Sequence, residues 1–354
     1  MKAGLGLQDF LIKADRENKM KRDFIVSSTA MYMEDGAELF SISRQLDSGM
    51  REVEPFQVSD LAHRQVGSVL GIPAKYYDKC RFEYPDLLTQ NVNGWLGRND
   101  SRHMLRTLDG TLRAFLSSKY RRYDNYDILH NILPVVAEMP DARVETCEIT
   151  DHRMYLKVVN PRLQLDVVPG DTVQAGIVIS NSEVGLGSVS VMPLVYRLVC
   201  ANGMVVNDLG KRKYHIGREN EESWELFSDE TLALDDAAFM AKLADIVRTA
   251  VDEAKFALII DKLREATEAK ITARVPDVVE LTAKNYGFNQ TEQDDILQHL
   301  ILGGDLSLYG LSNAVTRTAN DAESYERATA LETAGWHIAT MEPRLWRELN
   351  DVAA

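Results

Sequence analysis

The chain has 354 residues, 45% of them apolar and 27% charged, with a formal net charge of −14. That length and composition suit one large or two ordinary globular domains with a sizeable core. No stretch approaches the roughly 20 apolar residues of a membrane span, and the first residues lack the apolar block expected of a secretory signal. The scattered Cys80, Cys147 and Cys200 suggest no disulfide framework, and the charge argues against a surface that is basic all over.

In chain order, residues 1–57 mix short apolar runs with turn residues and read as strands or a hairpin. Ser59-Asp60 is an N-cap signal before LAHRQVGSVLGI, and Pro73 can open a second short helix through Ala74, Tyr76, Tyr77 and Lys79. The pair, with Gly67 and Gly71 four apart, fits either a helix-turn-helix DNA reader or an ordinary helical hairpin. From His103 the apolar period changes to two. HMLRTL, Asp109-Gly110 and TLRAFLS give the strongest short-range hairpin signal. DILHNILPVVAEM places Ile128, Leu129, Ile132 and Leu133 at helical spacing until Pro134, where a break is expected. A second hairpin spans ARVETCEIT and RMYLKVVN. DTVQAGIVIS then alternates Val173, Ala175, Ile177 and Ile179 against Thr172, Gln174 and Ser180, and SVSVMPLVYRLVC reads as a long strand bulged at Pro193. Past an acidic stretch, residues 234–271 carry one continuous apolar seam, expected to be a single long helix, and further helices follow around 278–285, 292–302, 311–317 and 323–341.

Charge is segregated along the chain. Between Arg98 and Arg122 seven basic residues face only Asp100 and Asp109, whereas between Arg218 and Asp236 eight acids face one arginine. Tests for catalytic chemistry fail one after another. Gly203-MVVNDL-Gly210-Lys211-Arg212 has the wrong spacing and ending for a phosphate loop, and Gly4/Gly6 and Gly185/Gly187 are isolated pairs. Glu145, Glu148 and Asp151 with His152 and Lys157 could serve a metal nuclease, but Glu145 and Glu148 alternate across a strand, as a solvated hairpin edge would. Cys200 and His215 could pair as nucleophile and base, or Cys200 could be a core thiol. What remains is basic and aromatic. Lys119, Tyr120, Arg121, Arg122, Tyr123 and Tyr126 leave the first hairpin, and Lys211, Arg212, Lys213 and Tyr214 leave the last strand. Such a mixture suits single-stranded nucleic acid, cations tracking phosphates and rings stacking on bases, and equally suits a solvated strand end.

The segments IPAKYYDKC, NVNGWL, DTVQAGIVISNSEVGLGSVSVMPLVYRLVCANGMV and LSNAVTRTAND together resemble the phage/plasmid-like protein family, a domain-of-unknown-function group, over residues 58–330. Asn181, Ser182, Arg197, Leu198, Cys200, Asn202 and Gly203 look like its most recognisable signature. The resemblance implies a mobile-element setting and brings no established reaction with it. A fold-level analogy links the order hairpin, helix, hairpin to phage single-strand annealing proteins, which bind DNA along a basic groove in oligomeric rings without hydrolysis.

These readings converge on an α+β protein: a central antiparallel sheet with a packed helix, then a mainly helical C-terminal region. Its expected divisions are 1–57, a sheet domain at 58–217, an acidic connector at 218–233, and helices at 234–354. The expected function is cytoplasmic, non-catalytic binding of single-stranded nucleic acid, without metal or cofactor, with a homo-oligomer formed through the helical region. Arg113, Lys119, Tyr120, Arg121, Arg122, Tyr123, Lys211, Arg212, Lys213 and Tyr214 form the expected groove, with Arg197 and Asn202 in the sheet interior or rim. The alternative is a scaffolding component that binds a host or phage protein.

Overall fold

A computed structural model describes residues 1–45, 50–98, 100–187, 189–207, 229–250 and 252–351 of the protein. The N-terminal segment opens with a helix, α1 (Leu7–Met20), where strands are expected, because α1 is charged around most of its circumference and buries only Phe10 and Ala14. The strands β1 (Lys21–Ser27), β2 (Met31–Glu34), β3 (Leu39–Gln45) and β4 (Arg51–Val58) follow. The Ser59 hydroxyl caps α2 (Asp60–Val69) by accepting from the Ala62 N–H, and α3 (Ala74–Glu83) follows the Gly-Ile-Pro turn. A further helix, α4 (Pro85–Leu96), starts on Pro85 at a position where a missing N–H costs nothing. Strands β5 (Arg102–Leu108) and β6 (Thr111–Ser117) meet at Asp109 and Gly110, whose φ angles of 49° and 77° are those of a tight hairpin turn.

These strands form one six-stranded sheet in the order β1-β5-β6-β4-β3-β2. It is antiparallel apart from a two-residue parallel contact between β4 and β6. The expected division at residue 57 therefore crosses a sheet, and the first hairpin does not belong with the strands that follow it. Its core lies against α2, α3 and α4, where Phe40, Phe56, Val66, Leu88, Leu105 and Phe115 pack together.

Helix α5 (Asn125–Glu138) runs through Pro134 without ending there, since Ile128, Leu129, Ile132, Val135 and Val136 on both sides of it are buried on one face. The second sheet comprises β7 (Arg143–Ile149), β8 (Met154–Asp166), β9 (Thr172–Asn181), β10 (Ser190–Arg197) and β11 (Asn202–Val205), in the order β11-β10-β9-β8-β7 and antiparallel throughout. No bulge occurs at Pro193, which stays in register with Ile177. Its carbonyl accepts from Val206 just past the end of β11, so its missing donor falls where the ladder stops.

This sheet is buried on both faces. Phe10 of α1 and Ile128 of α5 pack with Leu156, Val158, Ile177 and Ile179. The alternate residues of β8, Tyr155 and Lys157, reach α11 (Tyr325–Ala339), where the fully buried Lys157 ammonium lies 2.5 Å from the equally buried Glu332 carboxylate. The long helix expected at 234–271 is two helices, α6 (Asp229–Ala250) and α7 (Glu253–Glu268). Asp252 caps α7, and the two serve different cores: Phe239, Leu243 and Val247 join α5, while Phe256, Ile260 and Leu263 join the C-terminal helices. Helices α8 (Val275–Tyr286), α9 (Gln290–Gly303), α10 (Leu308–Thr318), α11 and α12 (Pro343–Asp351) complete the helical C-terminal region. The fold is α+β with antiparallel sheets. Among the described residues no helix is long and apolar enough to cross a membrane.

One buried cation holds the two sheets together. Arg106 on β5 donates from Nε and Nη2 to Asp23 (2.9 and 3.0 Å), from Nη2 to Asp124 (2.6 Å) and from Nη1 to the Glu183 carbonyl (2.8 Å). Burial alone would raise the Asp124 carboxyl, but Arg106 and Lys21 hold it below the usual carboxylate range. Replacing Arg106 with leucine removes the shared partner of two largely buried carboxylates and should cost about 3–5 kcal/mol in chemical denaturation. A loss below about 1 kcal/mol, the scale of an exposed pair, would contradict this assignment. A second prediction concerns His63, buried between α2 and α3 with Nδ1 3.0 Å from the Tyr77 hydroxyl. Burial, and secondarily Arg81, lowers its pKa to about 4. The neutral ring thus contributes stability fully present above pH ~6.5 and lost as the pH falls toward 4, by up to about 3 kcal/mol. His63→Phe should flatten the melting temperature across that window, and an unchanged profile would contradict the assignment.

Candidate functional site

The first basic exit is largely turned inward. Arg113 pairs with Glu183 at 2.6 Å, and the Tyr120 hydroxyl donates to the Ser182 carbonyl at 3.0 Å. Arg121 pairs with Asp235 and Asp236, both at 2.5 Å, and lies 5.1 Å from the centre of the Tyr123 ring. Tyr123 is only 7% exposed, 4.2 Å from Phe239, and burial pushes its phenol pKa up. Lys119 and Arg122 are exposed, Arg122 with a 3.4 Å contact to Asp23, and Tyr126 is partly exposed. The acids that engage this exit come from β1, the 181–187 loop and the start of α6, so charges segregated in sequence meet in space. Lys211, Arg212, Lys213, Tyr214, His215 and most of the acidic connector lie outside the described residues.

The signature residues at 181–187 are structural fasteners. Asn181 donates to the Tyr123 carbonyl and to Asn125 Oδ1, at 2.9 and 2.8 Å, and Ser182 Oγ donates to the His152 carbonyl at 2.9 Å while accepting from the Leu186 N–H. Gly185 has a φ of 81°, and a Cβ there would stand 2.6 Å from Leu116. Gln65 of α2 clamps the loop by donating to the Val184 carbonyl while accepting from the Phe115 N–H. The loop thereby docks the second sheet onto the first.

The carboxylate ladder is dispersed. Glu145 pairs with Arg143, Glu148 lies 3.9 Å from Lys13, and Lys157 is committed to Glu332. Among the described residues no group of three or more His, Cys, Asp or Glu side chains could hold a metal. Cys80 and Cys147 are buried thiols, and burial pushes the Cys147 pKa up to about 11, which disfavours the nucleophilic thiolate.

Two features face outward. On α4 the residues Leu87, Asn91 and Trp95 recur at four-residue steps and so share one stripe, with Tyr84 standing between α3 and α4 at its start. Asn91 Nδ2 donates to the Tyr76 hydroxyl at 3.0 Å, which brings that ring alongside. Tyr84 is 54% and Trp95 46% exposed. Arg98 follows α4 and Arg102 opens β5, both exposed. Because His103 pairs with Ser117, Lys119 leaves the sheet at the same end as Arg102. The spacing that reveals this stripe is present in the sequence, yet helical aromatics at such steps read equally as core.

The second feature is a cavity of about 220 Å³ among α9, α10 and the turn joining β10 to β11. Its polar lining is Arg197, Cys200, His299, Asp305, Asn313 and Arg317. Arg197 is oriented by Asp171, at 2.6 Å, and Asp171 also accepts from the Tyr309 hydroxyl at 2.8 Å. Asn202 is buried and donates to Thr316 Oγ1 at 2.5 Å.

No curated protein and no solved structure matches the chain. The family model described as "Domain of unknown function (DUF932)" matches residues 115–333, from β6 through most of α11 and well over half of the chain, and the protein belongs to that family.

Proposed function

We propose that the protein is a non-catalytic nucleic-acid-binding protein of a phage or other mobile element, that it prefers single strands, and that it supports annealing or recombination as a homo-oligomer in the cytoplasm. The observation that carries this reading is the exposed stripe of Tyr76, Tyr84 and Trp95 running toward Arg98 and Arg102. Rings standing out of a helical hairpin give bases a surface to stack on, and cations at its end neutralise the adjoining phosphates. The interface thus moves from the strand exits, where Tyr120 and Tyr123 are engaged internally, to the α3–α4 hairpin and the open end of β5 and β6, with Lys119 and Arg122 at its margin. Glu83 on α3 and Asp86 on α4 limit the positive potential there, so few phosphates are engaged.

A second reading, a scaffold that binds another protein, is favoured by Phe82 and Leu87, large apolar side chains exposed on the same hairpin at 75% and 42%. Fluorescence anisotropy of a labelled single strand across a salt series separates the two. Two or three phosphate contacts predict a log–log slope of roughly −1.4 to −2.1. Trp95→Ala should weaken binding by about 1–3 kcal/mol, the value of one stacked base, and Arg98→Gln with Arg102→Gln should flatten the slope. Absence of binding at low salt, or binding untouched by these substitutions, would sink the proposal.

A further inference from the structure

We infer that the cavity lined by Arg197 and Arg317 is a binding site for a small phosphate-bearing molecule, independent of any nucleic-acid surface. Two arginines from different elements line one space, Arg197 from the end of β10 and Arg317 from α10. Arg197 is held in place: Nε donates to Asp171, Nη1 lies 3.4 Å from Cys200 Sγ, and the guanidinium stands 6.0 Å from the centre of the Tyr309 ring. Arg317 is weakly committed, its contact with Asp321 being 3.9 Å long. A guanidinium group matches the oxygens of a phosphate in geometry and charge, and Arg317, the less committed of the two, is the one placed to supply it.

The inner wall carries a second sign of a ligand-facing surface. The carboxamide oxygen of Asn202, itself 2% exposed, has no hydrogen-bond partner. It borders a small void of about 10 Å³ that shares Arg197 and Asn313 with the main cavity. That void is the size of one water, which could bridge Asn202 to a bound oxyanion. Burial, together with Arg317, lowers the pKa of His299, which favours the neutral ring, able to donate or accept one hydrogen bond. Asp305, 3.8 Å from Lys270, stands at the cavity to accept from a hydroxyl or amino group of the same molecule. Leu300, Leu302 and Ala314 supply the apolar remainder. A volume of about 220 Å³ admits a terminal phosphate with a few further atoms, below the usual size of sites for larger ligands.

Calorimetric titration of the whole protein with inorganic phosphate at constant ionic strength tests this. Saturable binding is expected, weakened about tenfold or more in Arg317→Gln. A parallel measurement needs no substitution. Cys200 lines the cavity and is partly exposed, whereas Cys80 and Cys147 are buried, so phosphate should slow the alkylation of Cys200 by a neutral thiol reagent and leave the other two unchanged. Failure of phosphate to bind saturably or to protect Cys200 would overturn the inference, as would equal affinity in a folded Arg317→Gln protein. Protection by benzoate as strong as that by phosphate would overturn the assignment to a phosphate.

Discussion

A positive charge removed from water must be answered on every donor, and Arg106 is answered by three separate parts of the chain. Asp23 comes from β1, Asp124 from the approach to α5, and the Glu183 carbonyl from the loop after β9. Once these are gathered, the rest of the junction has little freedom. Glu183 turns its carboxylate to Arg113 and to the Asn125 N–H, and Lys21 closes on Asp124 at 2.5 Å. Such a site tolerates the loss of one member poorly, because the remaining charges keep their burial and lose their partner. The same gathering explains why Tyr120 and Tyr123, which look in sequence like stacking rings, are spent on Ser182 and Phe239.

A second buried pair, Lys157 with Glu332, fixes the helical region to the other face of the five-stranded sheet, and the Tyr155 ring packs tilted against Tyr325 beside it. Among the described residues, helices cover both faces of the second sheet. What the fold presents instead lies at its two margins. The α3–α4 stripe precedes the residues matched by the family model, whereas the arginine-lined cavity falls inside them. A nucleic-acid surface and a small-anion site would therefore be separable properties, the second carried by the part of the chain shared with the family.

Local signals were legible wherever the chain acts on near neighbours. Asp109-Gly110 specified its hairpin, Ser59 its cap, and the alternation of 172–180 its strand, because turn chemistry, capping and pleat each depend on a few adjacent residues. Signals that depend on a distant partner were not. Nothing adjacent to Arg121 announces Asp236, and nothing near Lys157 announces Glu332. The seam across 234–271 reads as one helix because α6 and α7 are each amphipathic. Only Asp252, a helix cap in the middle of the seam, marks the break. Pro134 and Pro193 misled in the same direction: a proline costs a donor only where a partner waits for it, and packing kept α5 intact.

Photochemical crosslinking of a single-stranded oligonucleotide, with the modified residues located by mass spectrometry, tests the functional reading most directly. Adducts on Trp95, Tyr84 and Tyr76 are the result that the exposed stripe predicts. Adducts on Tyr120 or Tyr123 would contradict it, since those rings would have to leave the junction that Arg106 organises, and so would the absence of any adduct at concentrations where the strand binds.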